Sequence, residues 1–363
     1  MTRAPCVSRT GPASRRKVAR IGHRKIYLNE DSVRRRSVLL AVPAGLLTLA
    51  GCGDDQSGSD KAKPSQEPTG QSPSPAPTGK IVSGPVPEIT AGKKFGEKPK
   101  VAKGSGKPSS DLAVKTVIKG DGEKTAKGDY VQVNYLAQIW NTGKVVDNTY
   151  DKKQTAAFPV GKGQVLPGWD QGLVGRSVGS RLELAVPPAY AYGKQGQPQA
   201  GIKGTDTLVF VIDIEGAFNA KSSAKGKKVA QSNFDLPKVS DNTDGKAPSI
   251  TVPKKDAPKK LVSEYVIEGD GPEVTAKDAL LVQYKGVLWD GGKEFDSTYK
   301  RGELAQFSLQ QVVKGWSQGL TGKKAGSRVL VVVPPDLGYG KKAQKGIPAN
   351  STLVFTVDIL AVL

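Results

Sequence analysis

Short stretches in which apolar and polar residues alternate recur along the chain and predict β-strands. Residues 130–136 alternate as a half-buried strand does, and residues 181–186 and 207–214 alternate less regularly. Residues 329–333 form a continuous apolar run that stops at two prolines. The intervening segments contain many glycines and prolines, which favour turns and linkers over long helices. The pattern therefore indicates a mainly β protein.

One short helix is predicted in each half of the chain. It begins near Trp169 in the first half and near Trp316 in the second, and it ends at Gly175 or Gly322. A twisted antiparallel sheet whose concave face covers one short helix accounts for these strands and helices. We therefore predict an α+β fold with two copies of a twisted antiparallel β-sheet, each wrapped around one short helix.

The two halves of the chain carry the same pattern. Short blocks recur in the same order at a spacing of about 147 residues, which is the signature of an internal repeat. The clearest pairs are Val133-Asn134-Tyr135 with Val282-Gln283-Tyr284, Asp147-Asn148-Thr149-Tyr150 with Asp296-Ser297-Thr298-Tyr299, Gly168-Trp169 with Gly315-Trp316, Tyr192-Gly193 with Tyr339-Gly340, and Leu208-Val209-Phe210 with Leu353-Val354-Phe355. One domain is therefore present twice.

Polar segments rich in Gly, Ser and Pro precede the first copy and separate the two copies. Residues 53–80 contain few apolar side chains and cannot bury enough surface to offset the entropy of ordering. A second polar stretch runs from about residue 220 to residue 245. The predicted organisation is an export leader at 1–51, a disordered tether at 52–94, a first domain at 95–218, a linker at 219–245 and a second domain at 246–363.

An apolar run near the start of the chain predicts an export signal that ends in a lipidation site. Arg34-Arg35-Arg36 precede the apolar residues 38–50, which are too few to span a membrane but suit the core of a signal peptide. The run ends Leu49-Ala50-Gly51-Cys52 and resembles a bacterial lipobox, in which the cysteine thiol receives a diacylglycerol. We therefore expect Cys52 to be the first mature residue and to anchor the protein to the outer face of the cytoplasmic membrane. The alternative is a buried apolar strand that happens to end in cysteine.

The first 33 residues are unusual for a signal peptide. Either translation starts near Val33, or these residues belong to a long export leader. Arg35-Arg36-Ser37-Val38-Leu39 also loosely resembles a twin-arginine signal, so two export routes stay open.

The positive charge of the chain favours an anionic surface as a neighbour. There are 54 Lys and Arg residues against 34 Asp and Glu, a net charge of +20. The lysines sit in scattered pairs such as Lys254-Lys255, with no basic stripe interleaved with aromatic residues. We therefore expect contact with anionic lipid or cell-wall polymer and no binding of nucleic acid.

Several residue types that carry hydrolytic or metal chemistry are almost missing from the sequence. The chain has one histidine, His23, and two cysteines, Cys6 and Cys52. These counts exclude Ser-His-Asp or Cys-His catalysis, a His-rich metal site and a disulfide framework. The Gly-Lys-Gly at 161–163 lacks the other residues of a phosphate loop and is interpreted as a turn. We expect no metal and no cofactor.

What recurs in both copies is a set of aromatic residues with one carboxylate. Each copy has a Tyr on a strand, an Asp, a Trp that opens the helix, a Tyr-Gly pair and a Phe in the last strand. Aromatic residues in a small β domain are core residues by default, and a lone Asp is a turn residue. Their joint recurrence favours an aromatic cup, which can bind an apolar ring, and proline is the obvious peptide candidate.

The second copy closely resembles the FKBP-type peptidyl-prolyl cis–trans isomerases. It reads Tyr-x-Gly, Gly-Lys-x-Phe-Asp-Ser-Thr, Val-Val-x-Gly-Trp, Gly-Tyr-Gly and Ile-Pro-Ala-Asn-Ser-Thr-Leu-Val-Phe, in that order, over residues 261–363. The first copy, over residues 111–218, carries most of the same positions. The resemblance implies catalytic residues in the second copy at Tyr284, Phe295, Asp296, Val312, Val313, Trp316, Tyr339, Ile347 and Phe355.

The resemblance also implies a role for each group. Trp316 would form the floor under the proline ring, and the other apolar side chains would form the walls. The backbone N–H of Val313 and the hydroxyl of Tyr339 would each donate a hydrogen bond to a substrate carbonyl. Asp296 would hydrogen-bond within the pocket and polarise it.

The first copy departs from the family pattern. The corresponding substrate-binding residues are Tyr135, Val146, Asp147, Val165, Leu166, Trp169, Tyr192, Ile202 and Phe210. Val146 stands where the family has an aromatic residue, Lys152 stands where the second copy has Arg301, and Lys203-Gly204 replaces Pro348-Ala349. We therefore expect weaker activity or an altered residue preference in the first copy.

Three functions are compatible with this sequence. The first is a lipid-anchored isomerase that assists the folding of exported proteins, with their proline-containing segments as partners and with macrolide inhibitor binding implied by the resemblance. The second is a non-catalytic module or holdase chaperone that binds the same segments, and Val146 favours it for the first copy. The third, a purely structural surface repeat, is disfavoured because both copies keep the aromatic cup.

Overall fold

The computed structural model describes Pro77 and residues 79–363. The predicted export leader, Cys52 and most of the predicted tether lie outside these residues. No helix within the described part of the chain is long and apolar enough to cross a membrane.

The first domain is built on a seven-stranded sheet with the order β1-β4-β8-β9-β5-β6, and β7 also pairs with β5. Only the pairing of β1 with β4 is parallel. β2 and β3 form a separate hairpin. The elements are β1 (Ile81–Val82), β2 (Ile89–Ala91), β3 (Lys100–Val101), β4 (Leu112–Ile118), β5 (Tyr130–Ile139), β6 (Val145–Asn148), β7 (Ala156–Pro159), α1 (Pro167–Gly172), β8 (Arg181–Val186) and β9 (Leu208–Phe218).

The second domain repeats this topology in the order β10-β13-β17-β18-β14-β15, with β16 paired to β14. β11 and β12 form the separate hairpin. Its elements are β10 (Lys227–Lys228), β11 (Lys238–Val239), β12 (Ile250–Thr251), β13 (Val262–Glu268), β14 (Ala279–Leu288), β15 (Glu294–Ser297), α2 (Thr298–Arg301), β16 (Ala305–Ser308), α3 (Lys314–Leu320), β17 (Arg328–Val333) and β18 (Leu353–Val362).

These elements confirm the predicted α+β fold, in which each sheet packs one face on a short helix. Alternate residues of each central strand point into the core beneath the helix, as in β8, where Leu182 and Leu184 are fully buried. The helices begin earlier than expected, at Pro167 and Lys314, because the tryptophan is the third residue of each helix and not the first. The short helix α2 was not predicted.

The outer face of each sheet is also covered, and this changes the predicted domain boundaries. Val82, Val86 and Val101 pack on Trp140 and its neighbours in the first domain. In the second domain, residues of the predicted linker such as Leu236 and Val239 pack in the same way around Trp289. We call residues 79–111 and 219–260 the first and second arm. Residues 79–94 of the predicted tether and 219–245 of the predicted linker therefore include short strands and residues packed on the sheets.

A buried ion pair holds each arm in place. Arg328 donates to both oxygens of Asp358 at 2.6 and 2.7 Å, and both side chains are almost completely buried. The remaining guanidinium donors reach the carbonyls of Ser240 and Asn242 in the second arm at 2.9 and 2.8 Å. A buried charge is tolerated only when its hydrogen-bonding groups are satisfied, so the arm completes the interior of the domain. Arg181 and Asp213 repeat the arrangement with the first arm.

Candidate functional site

In the second domain the short helix places a tryptophan at the bottom of an aromatic cup. α3 lies directly on β17 because Gly315 and Gly319 have no side chains. A Cβ atom on these residues would lie 2.3 Å from Val333 and 2.9 Å from Val331. Trp316 is only 5% exposed. Its indole therefore forms a floor and not a rim.

Aromatic rings surround the Trp316 indole edge to face. Its ring centroid lies 5.3 Å from Tyr284, 5.3 Å from Phe355 and 5.6 Å from Phe307. Phe295 extends this wall, with its centroid 5.5 Å from that of Phe355. Aromatic pairs at such distances are mutually stabilising. The result is an apolar cup with aromatic walls around the indole.

One carboxylate lies at the edge of the cup, and both of its oxygens accept hydrogen bonds. The Tyr284 hydroxyl donates to one oxygen of Asp296, and the Arg301 guanidinium donates to the other. The Ser297 N–H also donates to Asp296, at 2.8 Å. Burial, and then the hydrogen bond with Asp296, raise the pKa of Tyr284 to about 12, so its hydroxyl stays protonated. Asp296 is therefore held as a fixed charge beside the cup.

Two hydrogen-bond donors remain for a ligand. Tyr339 is 41% exposed, and partial burial together with the charge of Asp296 raises its pKa. Val313 precedes α3, and its carbonyl accepts from the Trp316 N–H at 2.9 Å. Within the described residues, the N–H of Val313 donates to no protein acceptor. The cup can thus desolvate an apolar ring while two donors hold neighbouring carbonyl oxygens.

The first domain has a cup of the same plan. The Trp169 centroid lies 5.3 Å from Tyr135, 5.4 Å from Phe210 and 5.6 Å from Phe158. The Tyr135 hydroxyl donates to Asp147 at 2.5 Å. A lysine takes the place of the arginine, because Lys152 donates to the other oxygen of Asp147 at 2.8 Å.

One wall of the two cups differs at two positions that contact each other. In the second domain a Cβ atom on Gly286 would lie 2.6 Å from Phe295 and 3.0 Å from Phe355, so Gly286 makes room for the Phe295 ring. The first domain has Ala137 at the position of Gly286 and Val146 at that of Phe295. Val146 is smaller than Phe295, and Ala137 is larger than Gly286. The smaller side chain at one position therefore leaves space for the larger one at the other.

The mouth of the first cup is also more closed. The hydroxyl of Tyr192 and the indole N–H of Trp169 are buried and have no hydrogen-bond partner among the described residues. Burial raises the pKa of Tyr192 to about 12. The equivalent residue of the second domain, Tyr339, is 41% exposed, so this corner of the cup is more open there.

The structure brings the predicted residues of each copy together, while their roles stay predictions. Tyr284, Trp316, Ile347 and Phe355 lie in one buried cluster, with Phe295, Val312 and Val313 packed against it. The first copy gathers its predicted residues in the same way: Tyr135, Trp169, Ile202 and Phe210 are buried, and Val146, Val165, Leu166 and Tyr192 pack against them.

Three residues of the second cup were not predicted as site residues. Phe307 contacts the indole, Arg301 holds Asp296, and Gly286 makes room for Phe295. The repeat contained a signal for Phe307, because Phe158 occupies the equivalent position of the first copy. The sequence also shows Gly286 in the second copy and Ala137 at the equivalent position of the first. The significance of this difference depends on the distance between position 286 and the Phe295 ring, which only the structure gives.

Comparison with known proteins is consistent with this geometry. Residues 121–215 and 271–360, together about half of the chain, match the family model described as FKBP-type peptidyl-prolyl cis-trans isomerase. The chain is 36% identical over 207 residues to the FKBP-type peptidyl-prolyl cis-trans isomerase FkpA of Escherichia coli K12, covering 52% of this chain and 73% of that protein. It is 40% identical over 118 residues to the FK506-binding protein of Streptomyces anulatus, covering 32% of this chain and 95% of that protein.

A solved structure is similar over a smaller part of the chain. The crystal structure of FkpA from Escherichia coli aligns with 48% sequence identity and a TM-score of 0.27, covering 28% of this chain. The alignment spans 47% of the solved FkpA chain, about half of its length.

Proposed function

This chain belongs to the FKBP-type peptidyl-prolyl cis–trans isomerase family, and we propose that its second domain catalyses rotation about X–Pro peptide bonds in exported proteins. The observation that carries the proposal is the cup formed by Trp316, Tyr284, Phe295 and Phe355, with the partly exposed side chain of Tyr339 near Asp296. It combines a dry surface for a proline ring with donors for the adjacent carbonyls.

Desolvation is the main effect that such a cup would supply. Rotation about the amide bond is opposed by C–N resonance, with a barrier of about 18–20 kcal/mol. Resonance places negative charge on the carbonyl oxygen, which water stabilises and an apolar wall does not. Removing water from the amide against the Phe295 and Phe355 rings therefore disfavours the planar form relative to the twisted one.

Fixed donors would then hold the peptide while the bond turns. The N–H of Val313 and the hydroxyl of Tyr339 would each donate to a carbonyl oxygen of the bound segment. Asp296 would not act as a base, because its oxygens already accept from Tyr284, Arg301 and Ser297. Its charge would instead polarise the edge of the cup at which the amide turns.

The proposal is tested with the full-length chain and a proline-containing peptide. Uncatalysed isomerisation takes tens to hundreds of seconds, so modest catalysis is measurable. Phe295→Ala should lower kcat/KM roughly tenfold or more, since removing a wall both wets and widens the cup. Val146→Ala, the matched change in the first domain, should have a much smaller effect. Equal effects of the two substitutions, or no catalysis by the wild-type chain, would contradict the proposal.

The first domain supports a second candidate function, the binding of proline-containing segments without efficient catalysis. Its cup keeps the Trp169 floor, but Val146 shortens a wall and the donor of Tyr192 is enclosed. The full-length chain carrying Phe295→Ala should therefore still bind a Pro peptide, and an additional Trp169→Leu should abolish that binding. Full catalytic activity of the Phe295→Ala chain would instead make the first domain an isomerase.

We also propose that the protein acts at the outer face of the cytoplasmic membrane, held there by lipid on Cys52. The basic, apolar and small residues before Cys52 support this location. Stable anchoring requires more than one acyl chain on the same cysteine. Cys52→Ala should release the protein from the membrane fraction or leave it unprocessed. An unchanged distribution and an unchanged mass would refute lipidation.

The cup of the second domain further supports binding of macrolide inhibitors. One relative is named for binding FK506. A macrolide that occupies this cup should inhibit isomerisation by the wild-type chain, and Phe295→Ala should weaken that inhibition.

A further inference from the structure

An apolar cluster joins the two domains within the described part of the chain. Tyr130, Ala157 and Phe218 of the first domain pack with residues of the second that include Ala279, Leu304 and Leu363. Ala157 is 4% exposed and Leu304 is 7% exposed. We call this cluster the domain interface.

Hydrogen bonds reinforce the interface at the end of the last strand. The hydroxyl of Thr155 donates to the carbonyl of Val362 at 3.0 Å, and the side-chain amide of Gln132 donates to the same oxygen at 3.2 Å. Gln132 also donates to Thr155 at 2.7 Å. The three groups fix the first domain against the carboxyl end of β18.

The two domains use equivalent positions in this contact. Tyr130 and Ala279 open equivalent strands, and Phe218 and Leu363 lie at equivalent ends of the last strands. Thr155 and Leu304 are also equivalent, because each directly precedes the strand that follows the carboxylate loop. The contact therefore uses the same edge of each domain.

One equivalent pair shows that the first domain is adapted to this contact. Ala157 is small, apolar and buried, whereas Gln306 at the same position of the second domain is polar and exposed. A charge introduced at position 157 would therefore be buried among apolar side chains.

Leu304 connects the interface to the cup of the second domain. It follows Arg301 by three residues, and the turn between them is tightly bonded. The N–H of Gly302 donates to the Thr298 carbonyl at 2.9 Å, and that of Glu303 donates to the same carbonyl at 3.3 Å. Leu304 is thus buried at one end of this turn, and Arg301 lies at the other end.

We propose that the first domain positions Arg301, and through it Asp296 and Tyr284, by burying Leu304 in the domain interface. Leu304 is a positioning residue, since Arg301 is the group that contacts Asp296 and Tyr284. The inference rests on the proposed isomerase function of the second domain. It implies that the first domain supports catalysis even if its own cup turns over no peptide.

The test introduces a charge on the far side of the interface in the full-length chain. Ala157→Asp should lower kcat/KM roughly three- to tenfold, a range common for coupled neighbouring residues. Gln306→Asp, the same charge at the equivalent exposed position, should leave kcat/KM unchanged. In a chain that already carries Arg301→Ala, Ala157→Asp should cause little further loss, because the group it acts through is gone.

A second readout does not depend on catalysis. Freeing the turn should speed tryptic cleavage after Lys300 or Arg301 in Ala157→Asp relative to Gln306→Asp, as mass spectrometry of the fragments would show. Thr155→Val removes the hydrogen bond to Val362 and the one that Thr155 accepts from Gln132, but it introduces no charge. It should shift both readouts in the same direction by a smaller amount, and it replaces Ala157→Asp if that variant does not fold.

The outcomes separate the two ideas. Equal losses from Ala157→Asp with and without Arg301, or unchanged cleavage, would overturn the positioning role. A wild-type chain without isomerase activity would refute the proposed function, and the cleavage readout would still decide whether the interface orders the turn.

Discussion

The first cup has Ala137 and Val146 where the second has Gly286 and Phe295, and we predict that changing both residues together rebuilds the aromatic wall. Val146→Phe alone would place a ring where the Ala137 methyl group lies. In the second domain the same methyl position is only 2.6 Å from the Phe295 ring, about 1 Å closer than an ordinary contact. We therefore expect Val146→Phe alone to cost roughly 1–3 kcal/mol of stability through overpacking and to leave the wall out of place.

The double substitution Ala137→Gly with Val146→Phe should behave differently. Glycine removes the overlap at a cost of about 0.5–1 kcal/mol in a strand. The new ring can then pack edge to face on Phe210, a contact worth about 0.5–1.5 kcal/mol, as Phe295 does on Phe355. The double variant should thus be nearly as stable as the wild-type chain and should gain peptide affinity.

The assay uses the full-length chain with the second cup disabled by Phe295→Ala. In that background, isomerisation rate and Pro-peptide affinity report on the first cup, and thermal unfolding reports on stability. Gly286→Ala in an otherwise wild-type chain is the reciprocal change and should lower activity by displacing Phe295. If Val146→Phe alone matched the double variant in stability and in rate, the compensation between the two positions would be refuted.

Two further predictions concern the outer face of the sheets. A fragment beginning at residue 246 lacks the carbonyls of Ser240 and Asn242 that accept hydrogen bonds from Arg328. Chemical denaturation should therefore show it to be less stable than a fragment beginning at residue 219, by roughly 3–5 kcal/mol. Equal stabilities would mean that the arm is dispensable. Burial raises the pKa of Glu183 to about 7, so its ionisation opposes folding increasingly as the pH rises from about 4.5 to 7. Glu183→Gln should therefore raise the melting temperature at pH 8 and have little effect at pH 5, and an equal effect at both values would refute this reasoning.

The sequence was sufficient to predict the fold and the composition of the cups because both rest on repeated patterns. The alternation in β5 and the tryptophan of α3 are local signals, and each has an equivalent in the other copy. Residues such as Trp316 and Asp296 were found because their order survives in both halves. The role of Arg301 was missed because an arginine after a turn looks like an ordinary surface residue until Asp296 is seen to accept its hydrogen bond.

The arms could not be predicted, for a physical reason. Their strands are two or three residues long, too short for any periodicity to emerge. Polar composition suggested disorder, yet the carbonyls of Ser240 and Asn242 are needed by a buried arginine that lies 86–88 residues further along the chain. Such a requirement becomes visible only when Arg328 is known to be buried.

The short strands β1 and β10 have a consequence for a protein that handles unfolded chains. β1 pairs with β4 and β10 pairs with β13, over two residues in each case, so each arm occupies part of what would otherwise be an open row of backbone donors and acceptors. Extended polypeptides readily add to such a row, and aggregation often begins there. Where the arm is paired, the backbone groups of the edge strand are not available to an added strand. The arms thus shorten the stretch of sheet edge that could retain a partly folded chain.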